Sequence, residues 1–179
     1  LSSLATATGA GEAAAFVDLG DAFDPQLAVT AGVDLERLLW ARPEHLKQTL
    51  ISAEVLLAGG FPLVVVDLGD PPVPGGRGVE ASWLRLAKAA QSHQAALLVS
   101  SPYRVSGTAA AGVVKADHGR ALWSGETPGP RLLVGLSSRL TLQKMRRHQG
   151  NRTAALCLHP PAALTYGTTT ASIGGGARS

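Results

Sequence analysis

Cysteine is nearly missing: Cys157 is the only one in 179 residues. Neither an internal disulfide nor a cysteine metal cluster is available, as expected of a chain kept in a reducing compartment. Aromatic residues make up only 4%; the apolar content is Ala, Leu and Val, which favours a layered α/β core over an aromatic-rich binding sandwich. No apolar run reaches membrane-spanning length and no basic-then-apolar signal opens the sequence, so no membrane partner is expected. The five histidines (His45, His93, His118, His148, His159) have no second ligand at helical spacing, and no metal site is expected. Nor does the pattern G-x-x-x-x-G-K-[ST] occur, so the local signature of a phosphate-cradling loop is missing.

What remains is enough for one domain. A hydrophobic fraction of 45% and mean hydropathy of +0.14 supply a substantial core, and a chain of this size buries roughly 70% of its unfolded surface without staples. Charge is unevenly placed. Residues 1–90 hold 6 Lys and Arg against 11 Asp and Glu, whereas residues 91–179 hold 10 against 2. A basic second half points to a polyanion or an acidic partner; an arginine-rich surface without a partner is the other reading. The start at Leu1, with no Met, is expected from processing or from trimming inside a longer protein.

Short apolar runs bounded by glycine recur along the chain. Leu1 to Ala10 reads as a helix end stopped by Gly9 and Gly11, followed by a buried strand over Ala13 to Asp18. Pro25 is placed to open a short helix capped by Asp24. Leu38 to Ala41 is a second strand, and Pro43 opens a helix to about Ala58, with Leu46, Leu50, Ala53 and Leu57 on one face and Gly59–Gly60 at its end. Leu63 to Asp67 is apolar on both faces, as a central parallel strand should be. After a Pro/Gly loop from Pro71 to Gly78, a helix from about Val79 to His93 leads to a buried strand at Ala95 to Val99. This alternation predicts right-handed βαβ units and a mostly parallel sheet flanked by helices. Segments near Gly112–Lys115, Ala121–Trp123, Leu132–Lys144 and Thr153–Leu158 read as antiparallel strands added at one sheet edge. The core is expected over 1–158, with 159–179 a flexible Pro/Gly/Thr-rich tail. Trp40, Trp83 and Trp123 are expected in core or interface packing.

Four segments in order carry a family resemblance. Phe16–Val17–Asp18–Leu19–Gly20–Asp21–Ala22–Phe23–Asp24–Pro25 resembles the RecA segment F-I-D-A-E-H-A-L-D-P. Ala31–Gly32–Val33–Asp34 followed by Leu38–Leu39 is similar to L-G-V-D-x-x-x-L-L. Leu63 to Asp67 stands where that family has its Walker B strand, and Leu140 to Arg147, with Gly150 and Arg152, looks like its late basic strand. The resemblance implies a RecA-like core. Within the family, the sequence looks most like the RecA-like accessory proteins of bacterial mutagenesis cassettes, the ImuA/SulA-like group. That likeness implies a cytoplasmic, nucleoid-associated protein in SOS-linked translesion mutagenesis, with RecA or an inactive Y-family polymerase homologue (ImuB) as partner.

The same comparison locates departures. The family's water-polarising acid falls at Gly20; Asp21, one residue on, is the alternative, although an offset re-aims a side chain that must reach the water. The adenine-stacking tyrosine is replaced near Leu27. Asp67 remains as a Walker B-like acid that either holds magnesium through water or caps its own loop, and Asp18 has the same two readings. The phosphate loop is either outside this sequence or lost. The expected function is therefore a non-hydrolytic adaptor with no cofactor. Its contacts would run through Lys144, Arg146, Arg147 and Arg152 at a hairpin around Gln149–Gly150–Asn151, which the resemblance places against an adjoining RecA-like protomer or DNA phosphates. Arg104, with Lys115 and Arg120, forms a weaker candidate contact. The alternatives are a fragment of an active RecA-like ATPase and a sequence-independent DNA-binding protein.

Overall fold

A computed structural model describes residues 1–69, 79–105, 107–117, 119–125, 129–145 and 152–158, with backbone alone at 152 and 156–158. The Pro/Gly loop after Asp67 lies mostly outside this set, as do the expected hairpin turn with Arg146 and Arg147, and the expected tail.

The apolar runs form four parallel strands: β1 (Ala14–Asp18), β2 (Leu38–Ala41), β3 (Leu63–Asp67) and β4 (Ala96–Ser100), in the order β2-β1-β3-β4. Four helices precede or link them: α1 (Ser2–Gly9), α2 (Pro25–Thr30), α3 (Leu46–Ala58) and α4 (Val79–Ser92), with a 3₁₀ turn at Leu35–Arg37. Because side chains alternate along a strand, the sheet carries two cores. Ala14, Phe16 and Leu63 pack with Leu4, Ala28 and Val33 beneath α1 and α2. Ala15, Val17, Val64 and Val66 pack with Leu50, Leu57, Trp83 and Leu86 beneath α3 and α4. Burying a Leu or Val in this way contributes about 1.5–3 kcal/mol each. Thr8 ties α1 to the first core: its hydroxyl donates to Leu4 O at 2.8 Å and accepts from Asp34 N at 3.0 Å.

Local chemistry sets the helix ends. Asp24 Oδ1 accepts from Gln26 N at 2.8 Å and Leu27 N at 3.1 Å, with Pro25 in the first turn. Asp24→Ala is expected to cost about 1 kcal/mol, with Asp24→Asn close to neutral; urea midpoints of the two variants check this. The third helix begins at Leu46 rather than Pro43. Pro43 suits a first turn, but Arg42 before it has no side-chain oxygen to cap it, and the helix starts only after the extended His45 (φ −154, ψ 159). Gln48 Oε1 then accepts from Glu44 N at 3.1 Å.

Two other expectations change. β4 is an edge strand, not a buried one. Leu97 and Val99 face α3 and α4, while Leu98 is substantially exposed, because α1 and α2 cover only the other strands of the sheet. The antiparallel strands, β5 (Gly112–Ala116), β6 (Arg120–Ser124), β7 (Leu132–Met145) and β8 (Arg152–Leu158), form a sheet of their own instead of extending the parallel one. β8 pairs with Leu136 to Leu142, overlapping the stretches paired to β5 and to β6. It therefore occupies the opposite edge of β7, and β5 and β6 are one interrupted strand along the other. Asp117 N donates to Arg139 O at 2.9 Å across the gap.

That sheet has two register shifts. Val113 pairs with Lys144 and Val114 with Leu142, so Gln143 is extra; Leu122 pairs with Gly135 and Trp123 with Leu133, so Val134 is extra. Each bulge reverses the alternation of β7. One face consequently holds Lys144, Thr141, Arg139 and Ser137 with Lys115 and Arg120; the other holds Val114, Trp123, Leu133, Leu136, Leu140 and Leu142. The first face gathers the cations, alongside Val113, Leu122 and Leu132, and the second is apolar. Among the described residues, no helix is long and apolar enough to cross a membrane.

Candidate functional site

In an open parallel sheet, a ligand crevice forms beyond the carboxyl ends of the strands, where successive connections leave for opposite faces. Here the connection after β1 enters α2 on one face. α4, the next described element after β3, lies on the other. The crevice therefore belongs between β1 and β3. A cleft of about 480 Å³ lies there, lined by Gly20, Ala22, Asp67, Gly69, Ser100, Ser101 and Pro102.

Gly20 closes the cleft on one side. A Cβ built on it would stand 2.7 Å from Gly69 Cα and 3.3 Å from Gly69 N. The backbones of the two loops touch, and no side chain fits at Gly20 unless one of them moves. Gly69 itself has φ +64, a conformation that favours glycine. Among the described residues the lining offers one carboxylate and two serines but no Lys or Arg, whereas a triphosphate needs cations and a cradle of amides. The described residues of the cleft do not fit a nucleotide triphosphate.

Asp18, Asp67 and Ser100 are register partners on the last rung of the sheet. Asp18 is 1% exposed. Its Oδ1 accepts from Ala22 N at 3.1 Å, and its Oδ2 accepts from Phe23 N at 3.0 Å and Trp40 Nε1 at 3.3 Å. Three donors converge on one carboxylate, which fastens the loop after β1. The Trp40 and Phe23 rings meet at a tilt, their centroids 5.1 Å apart. Asp67 Oδ1 accepts from Gly69 N at 3.2 Å and lines the cleft. Asp21 takes a left-handed φ of 51 and pairs with Arg42 (Nε 2.8 Å, Nη2 2.6 Å), which lies 5.0 Å over the Trp40 ring. Leu27 is exposed on α2.

The basic candidates are brought together only in part. Arg104 and Lys144, 40 positions apart in sequence, line one groove with Glu80, Leu84, Gly107, Thr108 and Ala109. Lys144 Nζ donates to Thr108 O at 3.1 Å. Lys115 and Arg120 lie on the Lys144 face of the sheet, with Lys115 Nζ 3.7 Å from Asp117. Arg152 opens β8 opposite Leu142, and its side chain lies outside the described residues, as do Arg146 and Arg147 altogether. Sequence reasoning missed the groove because its walls come from α4, Arg104 with residues 107–109, and β7, which only the fold brings together. It also missed the apolar face. Trp83 is packed inside and Trp40 lies half-buried against the first core, but Trp123 is exposed on that face with Arg131 5.8 Å above its ring. Among the described residues, no three His, Cys, Asp or Glu side chains are grouped to hold a metal ion.

Residues 1–101 match the RecA N-terminal domain family. Over 68 residues the chain is 41% identical to Protein RecA of Acinetobacter baylyi, a match covering 37% of this chain and 20% of that protein. It is 43% identical over 72 residues to Protein RecA of Clostridium acetobutylicum, covering 40% and 21%. It is 40% identical over 75 residues to Protein RecA of Mycobacterium marinum, covering 41% and 22%. The matched stretch spans about a fifth of the length of these relatives.

Proposed function

This chain belongs to the RecA family, through its N-terminal domain, and on that premise we propose that it is a RecA-like adaptor that binds partners without hydrolysing ATP. The reading rests chiefly on the contact between Gly20 and Gly69. The position that resembles the family's water-polarising acid is a glycine, and the space an acid would need is taken by backbone. Asp21 is turned to Arg42 instead. Among the described residues the cleft lining supplies no cation for a triphosphate. Asp67 then acts as a loop cap, the role its bond to Gly69 N supports.

The finer placement is with the ImuA/SulA-like accessory proteins, acting in SOS-linked translesion mutagenesis in the cytoplasm, at the nucleoid. The partners in this reading are a RecA protomer or filament, which the adaptor would block or remodel, and the polymerase-like ImuB. Docking runs through the basic face of the antiparallel sheet and its Lys144–Arg152 hairpin. Retention of RecA or of the polymerase-like protein on the immobilised chain tests this. Reversing charge at Lys144, Arg146 and Arg147 together should weaken retention at least tenfold. Unchanged retention of every partner after the reversal rejects the surface.

Direct DNA binding is a second reading, favoured by the cations Lys115, Arg120, Arg139 and Lys144 on one sheet face. It requires affinity that falls steeply with salt, since each neutralised phosphate releases counterions. Measurable ATP turnover by native-length protein would instead favour a fragment of an active ATPase.

A further inference from the structure

The groove beside α4 combines two chemistries. Leu84, on α4, is 51% exposed and shares its helix face with Glu80, while Trp83, Leu86 and Ala90 point into the core. Arg104 and Lys144 line the same groove, with Ala109 and with Gly107, whose Cβ position is open space. Among the described residues Arg104 has no ion-pair partner, and the Lys144 ammonium spends one of its three protons on Thr108 O. Beyond Lys144 the same sheet face continues with Arg139, Lys115 and Arg120.

We infer that this groove receives an acidic protein segment led by one apolar side chain, which seats against Leu84 while its carboxylates reach Arg104, Lys144 and the cations beyond. The inference rests on the docking role proposed above and names the chemistry of the partner. A protein segment is favoured over nucleic acid on two grounds. Leu84 offers an aliphatic seat that a phosphate backbone does not use. Single-strand binders also need aromatic platforms for the bases, and among the described residues none that lines the groove is aromatic.

The test uses the full chain and three fluorescein-labelled probes: a short peptide with one leucine flanked by glutamates, the same peptide with serine for leucine, and an oligothymidine of similar length. The leucine peptide should bind roughly 10- to 100-fold more tightly than the serine peptide, the equivalent of one buried aliphatic side chain. Leu84→Asp should abolish that difference, and Arg104→Ala should weaken both peptides about tenfold. Both positions are exposed, so the variants should keep the wild-type unfolding midpoint. Equal binding of the two peptides, or oligothymidine displacing the leucine peptide at lower concentration than the peptide itself, overturns the inference. Peptide discrimination without RecA retention would sink the adaptor role alone; RecA retention with no discrimination would sink only this inference.

Discussion

Replacing Asp18 by alanine should destabilise the protein by roughly 2–3 kcal/mol, the scale expected when partly buried donors lose a charged acceptor. Three donors depend on this carboxylate: Ala22 N, Phe23 N and Trp40 Nε1. The carboxylate itself is almost wholly buried, while its donors are only partly buried, so water replaces it in part. Asp18→Asn should recover only part of the loss. Its amide keeps one accepting oxygen, while its NH₂ must face an N–H that also donates. Urea denaturation would show the midpoint falling at unchanged slope, in the order wild type, Asn, Ala. A residue kept only to hold a metal through water would show the opposite: little change in stability on either substitution.

The second large effect is expected at Gly20. Gly20→Glu reinstates the acid that the family pattern carries there, yet it should lower stability by about 1–3 kcal/mol, as overpacking does, and confer no ATP turnover. The cause is backbone, since the new Cβ meets Gly69 Cα and neither loop can yield a flexible side-chain end. Gly20→Ala should cost a similar amount, because the clash begins at Cβ. A Gly20→Glu protein that melts like wild type and cleaves ATP would show that the cleft adapts, and the adaptor reading would lose its main support.

The parts of the fold set by local chemistry were legible in the sequence. The run from Leu63 to Asp67 announces a central strand because every position is apolar until the last. Asp24–Pro25 announces a helix start because a short acceptor and a fixed φ are both needed there. Gly59–Gly60 ends α3 as expected, with Gly60 at φ +87. The rest depends on contacts remote in sequence or on one-residue shifts. Gly20 and Gly69 are far apart in the chain, so their contact leaves no periodic trace. Plain alternation would put Lys144 on the side of Leu142 and Leu140; the extra residue at Gln143 moves it across, and only pairing with β5 reveals this. β4 reads as buried because apolar runs alone do not show how far the covering helices extend.

The antiparallel sheet has a consequence for energetics. Its apolar side carries Val114, Trp123, Leu133 and Leu136 in the open, so its ladder is held by backbone bonds and cross-strand pairs rather than by a dry interior. A few strands without a covering layer are weakly cooperative, and such regions open at a free energy well below that of the whole molecule. The protein thus has two thermodynamic tiers: a βαβ block that persists, and a ladder whose opening equilibrium any bound ligand would shift. Part of a ligand's intrinsic affinity would then be spent on closing that ladder, making observed binding sensitive to temperature and denaturant at concentrations that leave β1 and β3 untouched.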